Sequence, residues 1–272
     1  MTCGCGRSPD SCRGWHSLSE EEYKIEYKKE FGNLKKQNNL LTVTEVHHWT
    51  DKLFSFRTEK PEGYTYKAGQ FTMVGLNGIK RAYSYTSAPE DDFLEFYSIK
   101  VPNGPLTSQL KKILPGDKIE VSDRPSGTLV LDNLKPADGA RLWLMATGTG
   151  IAPFISIMRD SATYEKFPDL RVTWTVRTPD ELKAYSEFID TCADFYPTVT
   201  QDNTYEGFKG RVQLLMEDGP VLKDHDTEID RVMLCGSLAF NNDIKKILEN
   251  NQFVEGTNKQ PGTFVTEKAF VG

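Results

Sequence analysis

At 272 residues and 30.8 kDa, the chain is long enough for two ordinary domains with buried cores and one very small module besides. Hydrophobic residues make up 38% and charged residues 26%, with no apolar run near bilayer length, which describes a soluble globular protein without a membrane span. The 39 acidic against 33 basic side chains leave a net charge of −6, and this argues against nucleic-acid binding, which relies on a cationic surface to displace counterions.

Residues 1–36 read as a Cys-rich extension followed by a helix. The first residues carry no basic stretch followed by an apolar core, so no secretory leader is expected and the cytoplasm is the expected location. Three of the five cysteines, Cys3, Cys5 and Cys12, fall in the first dozen residues, which is poor evidence for a disulfide framework. With His16 they form C-x-C…C-x-G-x-H, four soft or borderline ligands in a short loop and a candidate metal site. Ser17 followed by Glu20, Glu21 and Glu22 predicts a helix start, and the charged stretch to about Lys36 predicts a solvated helix.

Residues 37–135 read as short β segments. Phe54 and Phe56 alternate with Ser55, Phe71 and Met73 flank Thr72, and Pro-Gly and Asn-Gly clusters punctuate the runs, so an antiparallel barrel or sandwich is predicted. Within it, Arg81-Ala82-Tyr83-Ser84-Tyr85-Thr86-Ser87 offers a cation, a flat ring and short hydroxyls, the groups a flavin dinucleotide asks for. By propensity alone the same residues suit an ordinary strand. Leu106 to Leu114 is the one helical candidate of this half.

Residues 136–272 change character. Arg141–Ala146, Leu170–Val176 and Arg231–Cys235 read as buried strands, each followed by a helical candidate, and the alternation predicts a parallel sheet covered on both faces. Thr147-Gly148-Thr149-Gly150 follows the first strand and leads into a helix with Pro153 in its first turn. Glycines there let a backbone approach a pyrophosphate, and free amides at the helix start favour its charge; a tight strand-to-helix turn is the plainer reading. Cys235-Gly236-Ser237 stands at the same kind of junction, before a helix from Leu238 to Asn250, although a small buried thiol explains Cys235 equally well.

Taken in order, these segments resemble the bacterial-type ferredoxin (flavodoxin)–NADP⁺ reductases over roughly residues 38 to 272. Further matching stretches are Phe96 to Val101, Gly104-Pro105-Leu106-Thr107-Ser108, Gly127-Thr128-Leu129-Val130 and Glu267 to Gly272. The resemblance implies an antiparallel FAD-binding β-barrel followed by a parallel-sheet NADP(H)-binding domain, a ferredoxin reductase-like fold. It also implies electron exchange with ferredoxin or flavodoxin, and we expect a monomer. Carried over, Arg81 would hold the FAD pyrophosphate, Ala82 would contact the cofactor, Tyr83 would pack against the isoalloxazine and Ser84 would lie near its N5. Tyr97, Ser98, Ile99, Lys100 and Val101 would line the cofactor. Gly104, Leu106, Thr107 and Ser108 would meet its phosphates, and Thr128 would face it. Thr147, Gly148, Thr149, Gly150 and Pro153 would meet NADP(H), Cys235 would lie near the nicotinamide, and Glu267 looks like the active-site carboxylate. Ala269 would sit beside the flavin and Phe270 would stack on its adenine.

Two departures stand out. The cations available for a coenzyme 2′-phosphate are Arg177, Lys209 and Arg211, while Gln201 stands where the family usually has an arginine, and the stretch between Tyr185 and Tyr196 is short. The head is similar to the CDGSH iron–sulfur proteins, with a shorter spacer and Arg13 in place of the acidic residue. A [2Fe–2S] cluster, structural zinc and a metal-free tail all fit it. Besides a reductase serving ferredoxin or flavodoxin, the chain can be read as a reductase with its own N-terminal relay, or as a non-catalytic flavin-binding interaction protein.

Overall fold

The computed structural model describes residues 38–268 apart from residues 102, 191 and 193. Cys3, Cys5, Cys12, His16, the charged helix before Lys36, and Ala269 and Phe270 lie outside the described residues. From Asn39 onward the chain forms one compact unit. Among the described residues no helix is long and apolar enough to cross a membrane.

The first half is a six-stranded sheet in the order β4-β3-β6-β1-β2-β5. Its strands are β1 (Asn38–His48), β2 (Leu53–Glu59), β3 (Phe71–Leu76), β4 (Ile79–Ser84), β5 (Phe93–Ile99) and β6 (Lys118–Ser122). The ladders β1–β2, β2–β5, β3–β4 and β3–β6 are antiparallel. A bridge between Tyr85 and Phe96 joins the two edges, so the sheet curls nearly into a barrel and leaves little free edge. Its core is aromatic: Phe56, Tyr83, Tyr85 and Phe96 pack ring to ring.

The expected alternation holds only in part here. In β3 it is inverted: Thr72 is buried and donates its hydroxyl to the Ser122 carbonyl, whereas Met73 is exposed. In β2 Ser55 is buried beside its two phenylalanines because Trp49 donates its indole N–H to Ser55 Oγ, covering the outer face. A satisfied hydroxyl is inexpensive to bury, so hydrophobicity alone misassigns the inner face. The short helix of this half, α1 (Thr107–Leu110), ends four residues before Leu114, as Pro115 and the left-handed Gly116 approach.

The second half is a parallel sheet in the order β10-β9-β8-β7-β11-β12. It contains β7 (Arg141–Thr147), β8 (Asp169–Val176), β9 (Asp194–Val199), β10 (Phe208–Lys209), β11 (Asp230–Gly236) and β12 (Phe264–Lys268). Helices α2 (Ala152–Arg159), α3 (Ser161–Lys166), α4 (Ser186–Ile189), α5 (Val212–Glu217) and α6 (Leu238–Asn250) accompany it. The chain winds outward from β7 to β10 and returns on the other side of β7 as β11, so the crevice of the sheet lies between β7 and β11. The helix expected after β8 is reduced to a 3₁₀ turn, Pro179–Lys183, and the four-residue α4. Pro179 removes a donor and Tyr185 takes a left-handed φ of 57°, and either interrupts a regular helix.

One apolar cluster joins both halves, with Leu53, Ala68, Tyr97 and Leu129 packed among Leu144, Phe154, Ile155 and Trp174. Polar links cross the same boundary. Ser156 donates its hydroxyl to the Ser87 carbonyl at 2.6 Å, and the Arg159 guanidinium meets the Glu95 carboxylate. The buried strand end carries its own charge pair: Asp230 is fully buried and receives both arms of Arg141, the Trp143 indole N–H and the Asp226 amide.

Candidate active site

A cleft of about 630 Å³ opens where the two sheets meet. One wall is the end of β4, Arg81 to Ser84, with Tyr97, Ser98 and Ile99 of β5 and then Val101 and Thr107; the other is Thr149, Gly150, Ala152 and Cys235. Arg81 to Ser84 and Thr149 to Gly150, more than sixty residues apart in sequence, thus face each other.

The barrel wall combines charge and flat surface. Arg81 is exposed and spends one Nη1 donor on the Lys80 carbonyl, leaving the rest of its fork available. Tyr83 is buried, its hydroxyl shares a hydrogen bond with Ser98 Oγ, and burial pushes its phenol up. Tyr97 is only 4% exposed, yet among the described residues its buried hydroxyl has no hydrogen-bond partner, and burial holds its phenol well above the usual range. Its ring packs edge-on against Tyr185 in the apolar cluster that joins the two halves. The loop before α1 contributes less than its composition suggests: the amides of Gly104 and Ser108 already donate to Val101 and Gly104 carbonyls. The Thr107 hydroxyl makes only a long contact, 3.5 Å to the Val101 carbonyl. Lys100 donates its amide to the Lys52 carbonyl, and Leu106 is buried in the barrel core.

The opposite wall is a glycine turn. Gly148 is left-handed at φ 52°, with open space where a Cβ would stand. A Cβ at Gly150 would lie 2.2 Å from the Cys235 carbonyl oxygen, so the turn after β7 can pack on the end of β11 only without a side chain. Trp174 donates its indole N–H to the Gly148 carbonyl, and Thr147 Oγ1 receives the Ser237 amide, which ties the turn to the loop after β11. Pro153 stands in the first turn of α2, which continues the 3₁₀ turn Gly148–Ile151; the Ala152 amide already donates to the Thr149 carbonyl and Pro153 has none, so the amides left for an anion are those at the start of the 3₁₀ turn. A Gly150→Ala substitution is expected to cost about 1–3 kcal/mol through forced separation of the two backbones. Urea unfolding checks the stability loss, and a coenzyme titration should show weakened binding.

Behind this turn lies the acid–thiol pair. Cys235 and Glu267 are register partners on β11 and β12. Glu267 is pushed up to about 7 by burial, opposed by the amides of Thr128 and Leu129. Its Oε2 receives the Thr128 amide at 3.3 Å, and Asn241 donates to its backbone carbonyl. The Cys235 thiol is raised well above its usual range by burial and then by Glu267. Gly127 takes φ 125°, a conformation that favours glycine, and a Cβ there would stand 2.9 Å from Glu267 Oε2 and 3.2 Å from Phe71 Cδ1.

The three cations considered for a 2′-phosphate are not gathered in one place. Arg177 lines a cleft of about 1110 Å³ with Gln201 and residues 49–53 of the barrel. Arg211 lines a separate pocket of about 470 Å³ at the carboxyl edge of the parallel sheet. Lys209 donates its ammonium to the Asn203 carbonyl. Residues the sequence reading missed are Gly127 beside the Glu267 carboxylate, Asn241 on its backbone carbonyl and Asp243 in the Arg211 pocket. Only Gly127 carried a signal, as part of Gly127-Thr128.

The Oxidoreductase NAD-binding domain family matches residues 144–246. The chain is 45% identical to the flavodoxin/ferredoxin–NADP reductase of Rhodobacter capsulatus, over 85% of this chain and 93% of that protein. It is 38% identical to the ferredoxin–NADP reductase of Pseudomonas aeruginosa, over 86% of this chain and 99% of that protein. A ferredoxin NADP⁺ reductase from Neisseria gonorrhoeae, solved with bound FAD and NADP, superposes with a TM-score of 0.78 at 28% identity, covering 85% of this chain and 98% of that one.

Proposed function

The chain belongs to the ferredoxin/flavodoxin–NADP reductase family, and from that premise we propose that its cleft holds FAD against NADP(H) and passes electrons to or from a ferredoxin or flavodoxin. The observation that carries this reading is the single cleft in which Arg81 to Ser84 and Tyr97 face Thr149, Gly150 and Cys235. Bound FAD supplies the redox chemistry, exchanging hydride with the nicotinamide and single electrons with the protein partner.

The chain's own groups bind, orient and hold a proton. Arg81 engages the cofactor's phosphates as a charged fork, with the Thr107 and Ser108 hydroxyls and the Leu106 amide beside it. Tyr83, locked by Ser98, fixes the plane of the ring system, and Tyr97 lines the same cleft. Ser84 lies half-buried on the same wall and offers a hydroxyl at the reacting edge. The turn at Gly148 to Gly150 brings backbone close to the coenzyme's pyrophosphate, with the start of α2 behind it. Cys235 supplies a neutral thiol where the nicotinamide comes down, and its contribution is packing. Glu267 holds a proton close to neutral pH one strand away. Thr128 positions that carboxyl through its amide. The protein works as a cytoplasmic monomer in this reading.

An anaerobic titration of the FAD-loaded chain with NADPH is the test: about one equivalent should bleach the flavin band, and Arg81→Ala should lower FAD retention by about tenfold, as loss of a charge-assisted phosphate contact implies. An unbleached flavin would rule the reading out.

A further inference from the structure

We propose that Asp243 sets the coenzyme selectivity of the pocket at the carboxyl edge of the parallel sheet, by opposing a 2′-phosphate and accepting a hydrogen bond from a free ribose hydroxyl. The inference rests on the NADP(H) reading above and refines it.

The pocket, about 470 Å³, sits over the ends of β7 and β8 and between the loops after β9 and β11, at Thr147, Thr175, Thr200 and Ser237. Ligands of open α/β sheets bind in this crevice, at the carboxyl ends beside the switch in strand order. Its ionisable lining is one guanidinium, Arg211, and one carboxylate, Asp243. Among the described residues no ion pair within 4.0 Å joins them, so each faces the pocket on its own account. Arg211 is exposed, whereas Asp243 is half-buried on the second turn of α6. The contact to Asp243 is long: Gln213 Nε2 stands 3.4 Å from its Oδ2, which leaves acceptor capacity on both oxygens.

A phosphate dianion entering here meets one positive and one negative group. The other two cations give little help, since Lys209 is turned to the Asn203 carbonyl and Arg177 lines a different cleft beside the uncharged Gln201. A carboxylate that accepts from a ribose 2′-hydroxyl selects the unphosphorylated coenzyme, and an arginine selects the phosphorylated one. This pocket presents both. Coenzyme choice is therefore a balance between Arg211 and Asp243, and NADH competes with NADPH more closely than three gathered cations would allow.

The test uses the full chain loaded with FAD and two coenzyme fragments, 2′,5′-ADP and 5′-AMP, whose affinities are read by calorimetry. Asp243→Asn keeps the shape and removes the charge. It should tighten 2′,5′-ADP about five- to tenfold, as expected for lifting a partly solvated like-charge contact. The same variant should leave 5′-AMP unchanged or weaker, and raise the NADPH to NADH ratio of kcat/KM by a similar factor. An equal change for both fragments, or an unchanged 2′,5′-ADP affinity in a variant with wild-type thermal unfolding, overturns the assignment. Failure of the wild-type protein to bind either fragment overturns the NADP(H) reading itself, and the inference with it.

Discussion

Replacing Glu95 with alanine is expected to destabilise the protein by about 3–5 kcal/mol, the largest effect foreseen for a single side chain outside the cleft. Glu95 is 3% exposed and lies on β5, where its Oε2 pairs with Arg159 of α2 across the junction of the two halves. Its Oε1 is 3.5 Å from Arg57 Nε, within ion-pair range but outside hydrogen-bond geometry. Each guanidinium also stacks on a ring: Arg57 over Phe93 and Arg159 over Phe188, both at 4.3 Å. Arg57 has a second carboxylate in Glu45 at 2.8 Å, whereas Arg159 is 7% exposed and pairs with Glu95 alone among the described residues. Truncating Glu95 therefore strands a buried guanidinium, and that desolvated charge is what costs energy. Urea unfolding followed by circular dichroism measures the loss. The paired variant Glu95→Leu with Arg159→Met should recover most of it, because the two charges leave together. A loss below about 1 kcal/mol for Glu95→Ala would show that water or relaxation solvates Arg159.

Glu267→Gln is expected to act in opposite directions on stability and on turnover. The wild-type carboxyl is pushed up to about 7 by burial from an ordinary value of 4.5, so the folded protein retains a proton that the unfolded chain has lost. Stability therefore falls as pH rises from 4.5 through 7, and the full penalty stands above 7. The shift corresponds to about 3 kcal/mol at most. Removing the charge should stabilise the protein by about 1–3 kcal/mol at pH 8 and leave it unchanged near pH 4. If Glu267 holds a proton used at the cleft, hydride transfer in the variant should lose its inflection near pH 7. The rate should also fall by about 10²-fold, the lower range for a positioned acid or base. Stopped-flow reduction by NADPH across pH 5 to 9 reads the rate. A variant with wild-type rates and an unchanged inflection would remove the carboxyl from the chemistry.

How far the fold was legible differs between the two halves for a physical reason. Buried parallel strands are continuous apolar runs, so Arg141–Ala146, Leu170–Val176 and Arg231–Cys235 stood out and fall within β7, β8 and β11. The helix from Leu238 to Asn250 was equally plain, and Ser237 caps it by receiving the Phe240 amide at 3.2 Å. The barrel was legible as a class but not strand by strand, since Thr72 and Ser55 are buried through hydrogen bonds that hydrophobicity does not register. The missing helix after β8 follows from Pro179 and from a left-handed Tyr185, and the second of these no propensity scale foretells.

The cleft was legible where chemistry is local, as in Arg81 to Ser84 and the glycine turn. It was illegible where distant segments meet. Thr128 and Glu267 are 139 residues apart, Glu95 and Arg159 are 64 apart, and their contacts depend on how the two sheets dock. Asp243 is one acid among 39 until the fold sets it in a pocket with Arg211.

Reduction of cytochrome c by the FAD-loaded protein, with NADPH and ferredoxin added separately and together, tests the central claim most directly. Turnover should require both, because hydride enters at the cleft and single electrons leave through the protein partner. Turnover with NADPH alone at the same rate, or none with both present, would contradict it.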